Sequence, residues 1–389
     1  MQLYFFKNNF FLFSGNYFFY FLVLGVYFPY FPLYCHYAGF SENQIGIITA
    51  LKTFSAIFFP LIWAWIADRF HMHRSVFLLC HFSSFILWGF FFLTESFLMM
   101  LLIMLVYGLF HSPLIGFTEA FTVGFLGGKK SGYGNIRLWG SVGFIIAVWG
   151  CGIALDFLSP SIVLWLVFSG SLAGAWLAVY TPVKKNSNVR IYKKDIIRLF
   201  SGNSMVFLLV TFIMLMSHGV YYGFFSIHLS KAGFSGNFIG FVWAMASIAE
   251  IFVMLGSRYL FYYFSLKSLI LFSFAAAVLR WCLLAFSIDP MVIVLSQLLH
   301  AITYGVFHMT TILYMDILVD AGAKTIGQTV LNASSYGLGL MVGYLVGGMG
   351  FAALGSDMFL VSAIMAFSGG VLAMGLHSLK IHSSQGGTR

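Results

Sequence analysis

Five side chains carry a full charge well inside otherwise apolar stretches: Lys52, Glu119, Arg137, Glu250 and Arg280. A single charge at mid-membrane costs roughly 2.5 to 3.5 kcal/mol, so five unpaired ones would cost together about 12 to 17 kcal/mol, as much as a typical fold has to lose. They are therefore expected to face one another or water. Glu119 and Arg137 stand on either side of GGKKSGYGN, residues 127–135, which reads as a short turn between antiparallel neighbours. Glu119 falls about two helical turns before that stretch and Arg137 shortly after it, so the two can meet at similar depth. Such a pair can hold polar groups of a ligand, or it can only fix helix packing. Lys52 has a third option, since its long stem can snorkel. Three cations against two carboxylates leave one positive charge over. That surplus favours an anionic ligand, such as a carboxylate held by a guanidinium. Five histidines, His81, His111, His218, His300 and His308, also fall in apolar stretches. A group that titrates near pH 6.5 suits proton relay, or simply hydrogen-bonded packing.

The elements that must position these groups follow from composition. The chain of 389 residues is 61% hydrophobic and 8% charged, against about 25% charged in soluble domains. It is expected to be an all-α protein embedded in a lipid bilayer. Spans of about 20 apolar residues succeed one another twelve times: about Leu12–Tyr34, a second opened by a Ser41/Gln44 capping box, then Val76–Leu93, Phe97–Leu126, Asn135–Leu155, Ile162–Tyr180, Met205–Leu229, Phe238–Ser257, Ser268–Phe286, Met291–Ile317, Ile326–Leu354 and Met358–Leu376. The start continues into bulky FPYFP with no small-residue cleavage site, and reads as an uncleaved first span. Of the 20 Lys and Arg, 16 lie at the termini and in alternate loops; Lys231 alone lies in the opposite set, among Glu42, Glu95, Asp156, Asp289 and Asp357. The positive-inside rule then places both termini in the cytoplasm. In this setting the net charge of +9 points to anionic lipid and not to nucleic acid. The cysteines Cys35, Cys80, Cys151 and Cys282 are scattered, without metal-ligand spacing.

TPVKKNSNVRIYKKDIIR, residues 181–198, is the one sizeable polar stretch. It divides the chain into 1–181, a basic linker 182–202, and 203–389. Residues 25–46 align without gaps on residues 219–240, with eleven of 22 positions identical. An offset of half the chain that carries span 1 onto span 7 in the same orientation is what a parallel repeat of six-span bundles requires. In span 11, Gly339, Gly343 and Gly347 line one smooth face for close packing or sliding.

The carboxylate and arginine eighteen residues apart on spans 4 and 5 resemble the sugar-binding pair of the lactose permease branch of the major facilitator superfamily. YGNIRLWGSVGF around Arg137, YYGF at Tyr221–Phe224 and VLRW at Val278–Trp281 resemble the phenylpropionate permease family. Asp68-Arg69, with Ala64 before them and Arg74 beyond, partly matches the superfamily signature between spans 2 and 3; Ala64 and His71 replace its glycines. The resemblance implies a cytoplasmic gate at Asp68 and Arg69, latched by a charge at a helix end. His300 follows Arg280 by twenty residues, as in the lactose permease coupling site, but Thr303 stands at the acidic position and Gln297 where that permease has a lysine. The acid is thus missing from its usual place. Glu250, the one acid set well inside a span of the second half, is expected to carry the proton, with Arg280 and His300 tuning it. Burial raises a carboxyl pKa and a nearby cation lowers it, so exchange between two such settings binds and releases a proton.

These features predict a major facilitator fold of two pseudo-symmetric six-span bundles around a central cavity. The expected activity is proton-coupled import of a small organic solute, foremost an aromatic monocarboxylate such as 3-phenylpropionate. Glu119, Arg137, Lys52 and His111 would bind substrate, and Glu250, Arg280 and His300 would couple the proton. No cofactor beyond the proton and no metal is expected, and a monomer in the bacterial inner membrane suffices. The alternatives are a sugar or nucleoside symporter and, outside transport, a transceptor. No H-E-x-x-H, G-x-S-x-G or Walker sequence supports an enzyme.

Overall fold

The computed structural model describes residues 2–127, 131–183, 202–320 and 324–379, and the regular structure among them is helical. Span 1 is a single helix, Gln2–Tyr37, with Pro29 and Pro32 inside it. Span 2, Glu42–Phe70, opens on the expected capping box and closes on His71, which sits in the left-handed region at φ 56°. His71 thus occupies a conformation that glycine adopts without cost, at a place where the related signature carries glycine. Span 3 is His73–Gly89 extended by a 3-10 turn, Phe90–Leu93.

Span 4, expected unbroken, is two helices, Phe97–His111 and Leu114–Leu126. Pro113 lacks the amide that would bond Leu109 O, and that carbonyl accepts instead from Trp63 Nε1 at 2.9 Å. Gly127 ends the second piece at φ 57°. Span 5, Ser131–Phe157, begins four residues earlier than Asn135. Its glycine-rich start stays helical because it has a surface to pack on: the Tyr133 ring meets that of Tyr17 edge to face, and Ile136 is fully buried. Residues 128–130 of the expected turn lie outside the described residues, as do 184–201 of the expected linker.

Spans 6 to 9 are Ile162–Tyr180, Gly202–Lys231, Gly236–Tyr263 and Leu266–Phe286. Span 10 is Pro290–Leu298, a π-helical turn Ala301–Val306, and Phe307–Leu318. Span 11 is Lys324–Asn332, a second π-helical turn Ala333–Gly339, and Leu340–Leu354. Among the described residues, eleven stretches could cross a bilayer by length and hydropathy, but the last, Ile326–Ala373, has 48 residues. At 1.5 Å each that is about 72 Å of helix against a hydrocarbon core of ~30 Å. Gly355 at φ 52° opens the turn Gly355–Asp357 that divides it from span 12, Met358–Ala373. The result is the twelve-span arrangement.

The chain forms two compact units, Met1–Val189 with Val220–Ala244 and Tyr344–Gly355, and Arg190–Gly219 with Met245–Gly343 and Ser356–Arg389. In the first, spans 1 and 5 touch backbone to backbone: a Cβ on Gly143 would strike Phe18 O. In the second, a Cβ on Gly339 would come 2.7 Å from Phe212 O. Phe18 and Phe212 are related by the same 194-residue offset as the sequence repeat. Gly339, Gly343 and Gly347 all lean on span 7, the packing that their spacing predicts.

Segments 220–244 and 344–355 join the first unit through specific contacts. Lys231 Nζ and Glu42 Oε1 pair at 2.7 Å, so the one misplaced cation of the charge pattern is matched by its nearest acid. Asp156, at the end of span 5, accepts from the Gly236 and Asn237 amides at 2.6 and 2.9 Å and so caps span 8. Helix N-termini leave such amides without intrahelical partners, and a carboxylate satisfies them.

Candidate functional site

In the first unit Glu119 is exposed and Arg137 half-buried. They sit close enough to interact electrostatically, yet Glu119 forms no ion pair or hydrogen bond with any described residue. Span 1 supplies the aromatic wall. The Arg137 guanidinium lies 4.0 Å above the Phe21 ring and 5.6 Å from that of Tyr17, an arrangement worth about 0.5 to 2 kcal/mol depending on desolvation. Gly140, one turn on, leaves the space it occupies: a Cβ there would come 2.8 Å from Arg137 Nη1. The hydroxyls of Tyr17, Tyr20 and Tyr133 share the field of Glu119. The acid and the guanidinium are therefore neighbours with a gap between them, not a closed bridge.

Lys52 and His111 continue the same site. Lys52 is 9% exposed, with its Nζ 5.8 Å from the centre of the Tyr27 ring and 5.9 Å from that of Tyr107. Among the described residues it has no carboxylate within 4.0 Å and no hydrogen-bond acceptor. His111 adjoins it, buried between Tyr20 and Tyr107 with ring centroids at 5.3 and 4.9 Å, and its Nδ1 has no hydrogen-bond partner among the described residues. Tyr20 belongs to both clusters, so a row of rings joins Lys52 to Glu119 and Arg137. The break after His111 at Pro113 ends the first helix of span 4 at that row. Sequence reasoning found the charged members and missed Tyr20, Tyr27 and Tyr107; nothing local to span 1 marks which of its many aromatics face Lys52.

In the second unit Arg280 is fully buried. Its Nη2 donates to Gln297 Oε1 at 3.1 Å, and its Nη1 to Thr303 Oγ1 at 3.4 Å and to His300 Nδ1 at 2.7 Å. His300 Nε2 lies 3.0 Å from Glu250 Oε1. A guanidinium can only donate, so Nδ1 of His300 accepts, and Nε2 carries the hydrogen that it gives to Glu250. A second proton on this imidazole would set N–H against N–H. The two positions at which this chain departs from the lactose permease pattern, Gln297 and Thr303, are thus neutral acceptors for Arg280. The acid has moved to span 8 and reaches the guanidinium through His300. His218 Nδ1 is 2.9 Å from Met214 O, which makes it a donor, and leaves Nε2 to accept from Thr303 at 3.3 Å.

The signature residues between spans 2 and 3 divide. Asp68 pairs locally with His73 at 2.8 Å, and Arg69 is exposed. The charge that meets a helix end is Arg74, which donates to Val179 O at 2.6 Å and Thr181 O at 3.2 Å at the close of span 6. There the cation satisfies carbonyls that the helix leaves over.

Residues 10–361 match the MFS_1 like family. The "Putative nucleoside transporter YegT" of Escherichia coli is 26% identical over 332 residues, 80% of this chain and 77% of that one. The "Probable 3-phenylpropionic acid transporter" of the same organism is 24% identical over 361 residues, 90% of this chain and 93% of that one. Among solved structures, that of the nucleoside transporter NupG superposes with a TM-score of 0.79 at 20% identity, covering 94% of this chain and 98% of NupG. With twelve spans, an internal repeat, and charged clusters sunk in both units, the chain belongs to the MFS_1 like family and is a major facilitator, a membrane transporter of small molecules.

Proposed function

We propose that this transporter is a proton-coupled symporter that imports an aromatic monocarboxylate such as 3-phenylpropionate. The observation that carries the reading is Lys52: a buried ammonium between tyrosine rings, with no acid beside it among the described residues. Burying an unmatched charge costs several kcal/mol, and a substrate carboxylate supplies the missing countercharge. His111 Nδ1 completes the anion's ligands, and the faces of Tyr20, Tyr27 and Tyr107 suit a flat apolar body. Glu119 and Arg137, at the far end of the row, engage polar substituents. Glu250 carries the proton, with His300 and Arg280 setting its affinity, and no further cofactor takes part. Asp68 and Arg69 belong to the cytoplasmic gate. The protein acts as a monomer in the inner membrane, with both termini in the cytoplasm and the halves meeting at the basic linker 182–202.

A nucleoside symporter is the second reading, favoured by relatives named as nucleoside transporters and by the NupG fold. A sugar symporter is the third, since maltose and sucrose permeases are also similar. Competition separates the three. In proteoliposomes with an inward proton gradient, labelled 3-phenylpropionate should accumulate, and aromatic carboxylates but not uridine or galactosides should compete. External alkalinisation on adding substrate would distinguish transport from sensing. Accumulation of uridine with no uptake of the carboxylate would overturn the proposal in favour of the second reading.

A further inference from the structure

The Glu250–His300–Arg280 cluster is closed on one side. Passage of a proton through His300 would need an acceptor beyond Nδ1, and that position is taken by Arg280 Nη1, a donor. A proton on Glu250 must leave by another route. Span 10 carries His300, Tyr304 and His308 at intervals of four, which puts all three on one helix face. The π-helical turn Ala301–Val306 adds a residue to the turn they share. The rings consequently stack, His300 on Tyr304 with centroids at 5.3 Å and planes 16° apart, and Tyr304 on His308 at 5.9 Å and 11°.

The second π-helical turn, Ala333–Gly339 in span 11, delivers Tyr336 to the same place. Its hydroxyl is 2.6 Å from His308 Nδ1, and its ring stands edge-on to Tyr304 and His308 at 6.0 and 5.5 Å. The Tyr336 hydroxyl also meets that of Tyr304 and lies within electrostatic reach of Glu250. Glu250 in turn packs against Gly305, within the first π-helical turn, where a Cβ would come 3.5 Å from Glu250 Cγ. π-Helical turns are rare and concentrate at functional sites; here two of them bracket one cluster of exchangeable protons.

We propose that Tyr336 and His308, with the Tyr304 hydroxyl holding that of Tyr336 in place, form the relay by which the proton leaves Glu250, toward the end of span 10 that carries Asp316. The proposal rests on the symport reading above. In the transfer, the Glu250 carboxyl O–H breaks as its proton joins the Tyr336 oxygen, while the Tyr336 O–H proton passes to His308 Nδ1. The products are a carboxylate and an imidazolium, and His308 then releases a proton from Nε2 to water. Tyrosine hydroxyls both donate and accept, so each returns to its starting state. His308 lies eight residues beyond His300, about 12 Å along the helix, toward the side that the charge pattern assigns to the cytoplasm. The titratable groups facing it are Tyr304 on its own helix, Tyr336 on span 11 and, behind them, Glu250 on span 8.

The test compares two modes of the full-length protein in proteoliposomes with 3-phenylpropionate as the probe: uphill accumulation driven by a proton gradient, which needs proton release, and equilibrium exchange, which does not. For His308→Gln and Tyr336→Phe, each near the size of the original, accumulation should fall by about tenfold or more while exchange stays within about twofold. Either variant suffices should the other fail to fold. Equal loss of both modes, or loss of neither, overturns the relay. Wild-type protein in the same vesicles reads the function separately: without gradient-driven accumulation symport itself fails and the relay with it, whereas accumulation by the wild type and both variants alike removes the relay and leaves symport standing.

Discussion

On the proposed reading, Lys52 is the residue on which substrate charge turns. The five charges within the spans sort themselves once their neighbours are known: Glu119 shares its field with Arg137, and Glu250 joins Arg280 through His300. Lys52 is the cation left over. If it binds a carboxylate, Lys52→Gln should weaken 3-phenylpropionate by roughly 1.5 to 3 kcal/mol, the worth of a hydrogen bond to a charged group, or about 10- to 100-fold in Kd. The neutral 3-phenylpropionamide should lose less than about twofold, and Lys52→Arg should keep part of the preference for the acid. Titration of purified protein with both compounds reads the difference directly. An equal loss for acid and amide would mean that Lys52 only shapes the site.

Elements are joined here by backbone groups that side chains from elsewhere satisfy. Asp156 closes span 5 but caps span 8, and the neighbouring Trp149 indole donates to Asn237 Oδ1 at 2.8 Å. Glycine lets the same helices approach: a Cβ on Gly152 would strike Gly236 O. Asp156→Ala should cost about 1 kcal/mol, the usual worth of an N-cap, and Asp156→Asn only part of it, since an amide oxygen still accepts. Thermal unfolding in detergent should rank wild type above Asn above Ala. Identical melting of all three would show that this cap carries no stability. The span 5 start follows the same logic from the other side: the turn composition of its first residues is overridden because Tyr133 and Ile136 have span 1 to pack on, whereas Pro113 could not be overridden, having no amide to offer.

At the scale of the whole molecule, the proposed orientation rests on charge and the architecture on duplication. The Gly143–Phe18 contact returns as Gly339–Phe212, the phenylalanines at the offset of the sequence repeat and the glycines two residues beyond it, so a similar packing solution serves both units. Orientation is testable because the native thiols interfere little: Cys35, Cys80 and Cys151 are buried and Cys282 is half-buried. An impermeant maleimide should label Glu95→Cys in intact cells, and Met72→Cys only after the membrane is opened; both positions are exposed in loops that the positive-inside rule assigns to opposite sides. The reverse pattern would invert the orientation, and with it the direction of the proposed relay.

Twelve spans, the repeat and the identity of the buried charges were legible in the amino-acid order, because apolar length and the cost of a charge in hydrocarbon are properties of a segment by itself. So was the absence of an acid at Thr303, and hence the choice of Glu250. Which cation lacks a partner was not legible, since pairing depends on distances between residues far apart in the chain. Nor was the gap between Glu119 and Arg137, the closed side of His300, or the meeting of His308 with Tyr336. The spacing of His300, Tyr304 and His308 hinted at a shared face, but the partner arrives on another span through a π-helical turn. Hydrogen-bond direction and electrostatic neutrality are settled between elements, and only their packing fixes them.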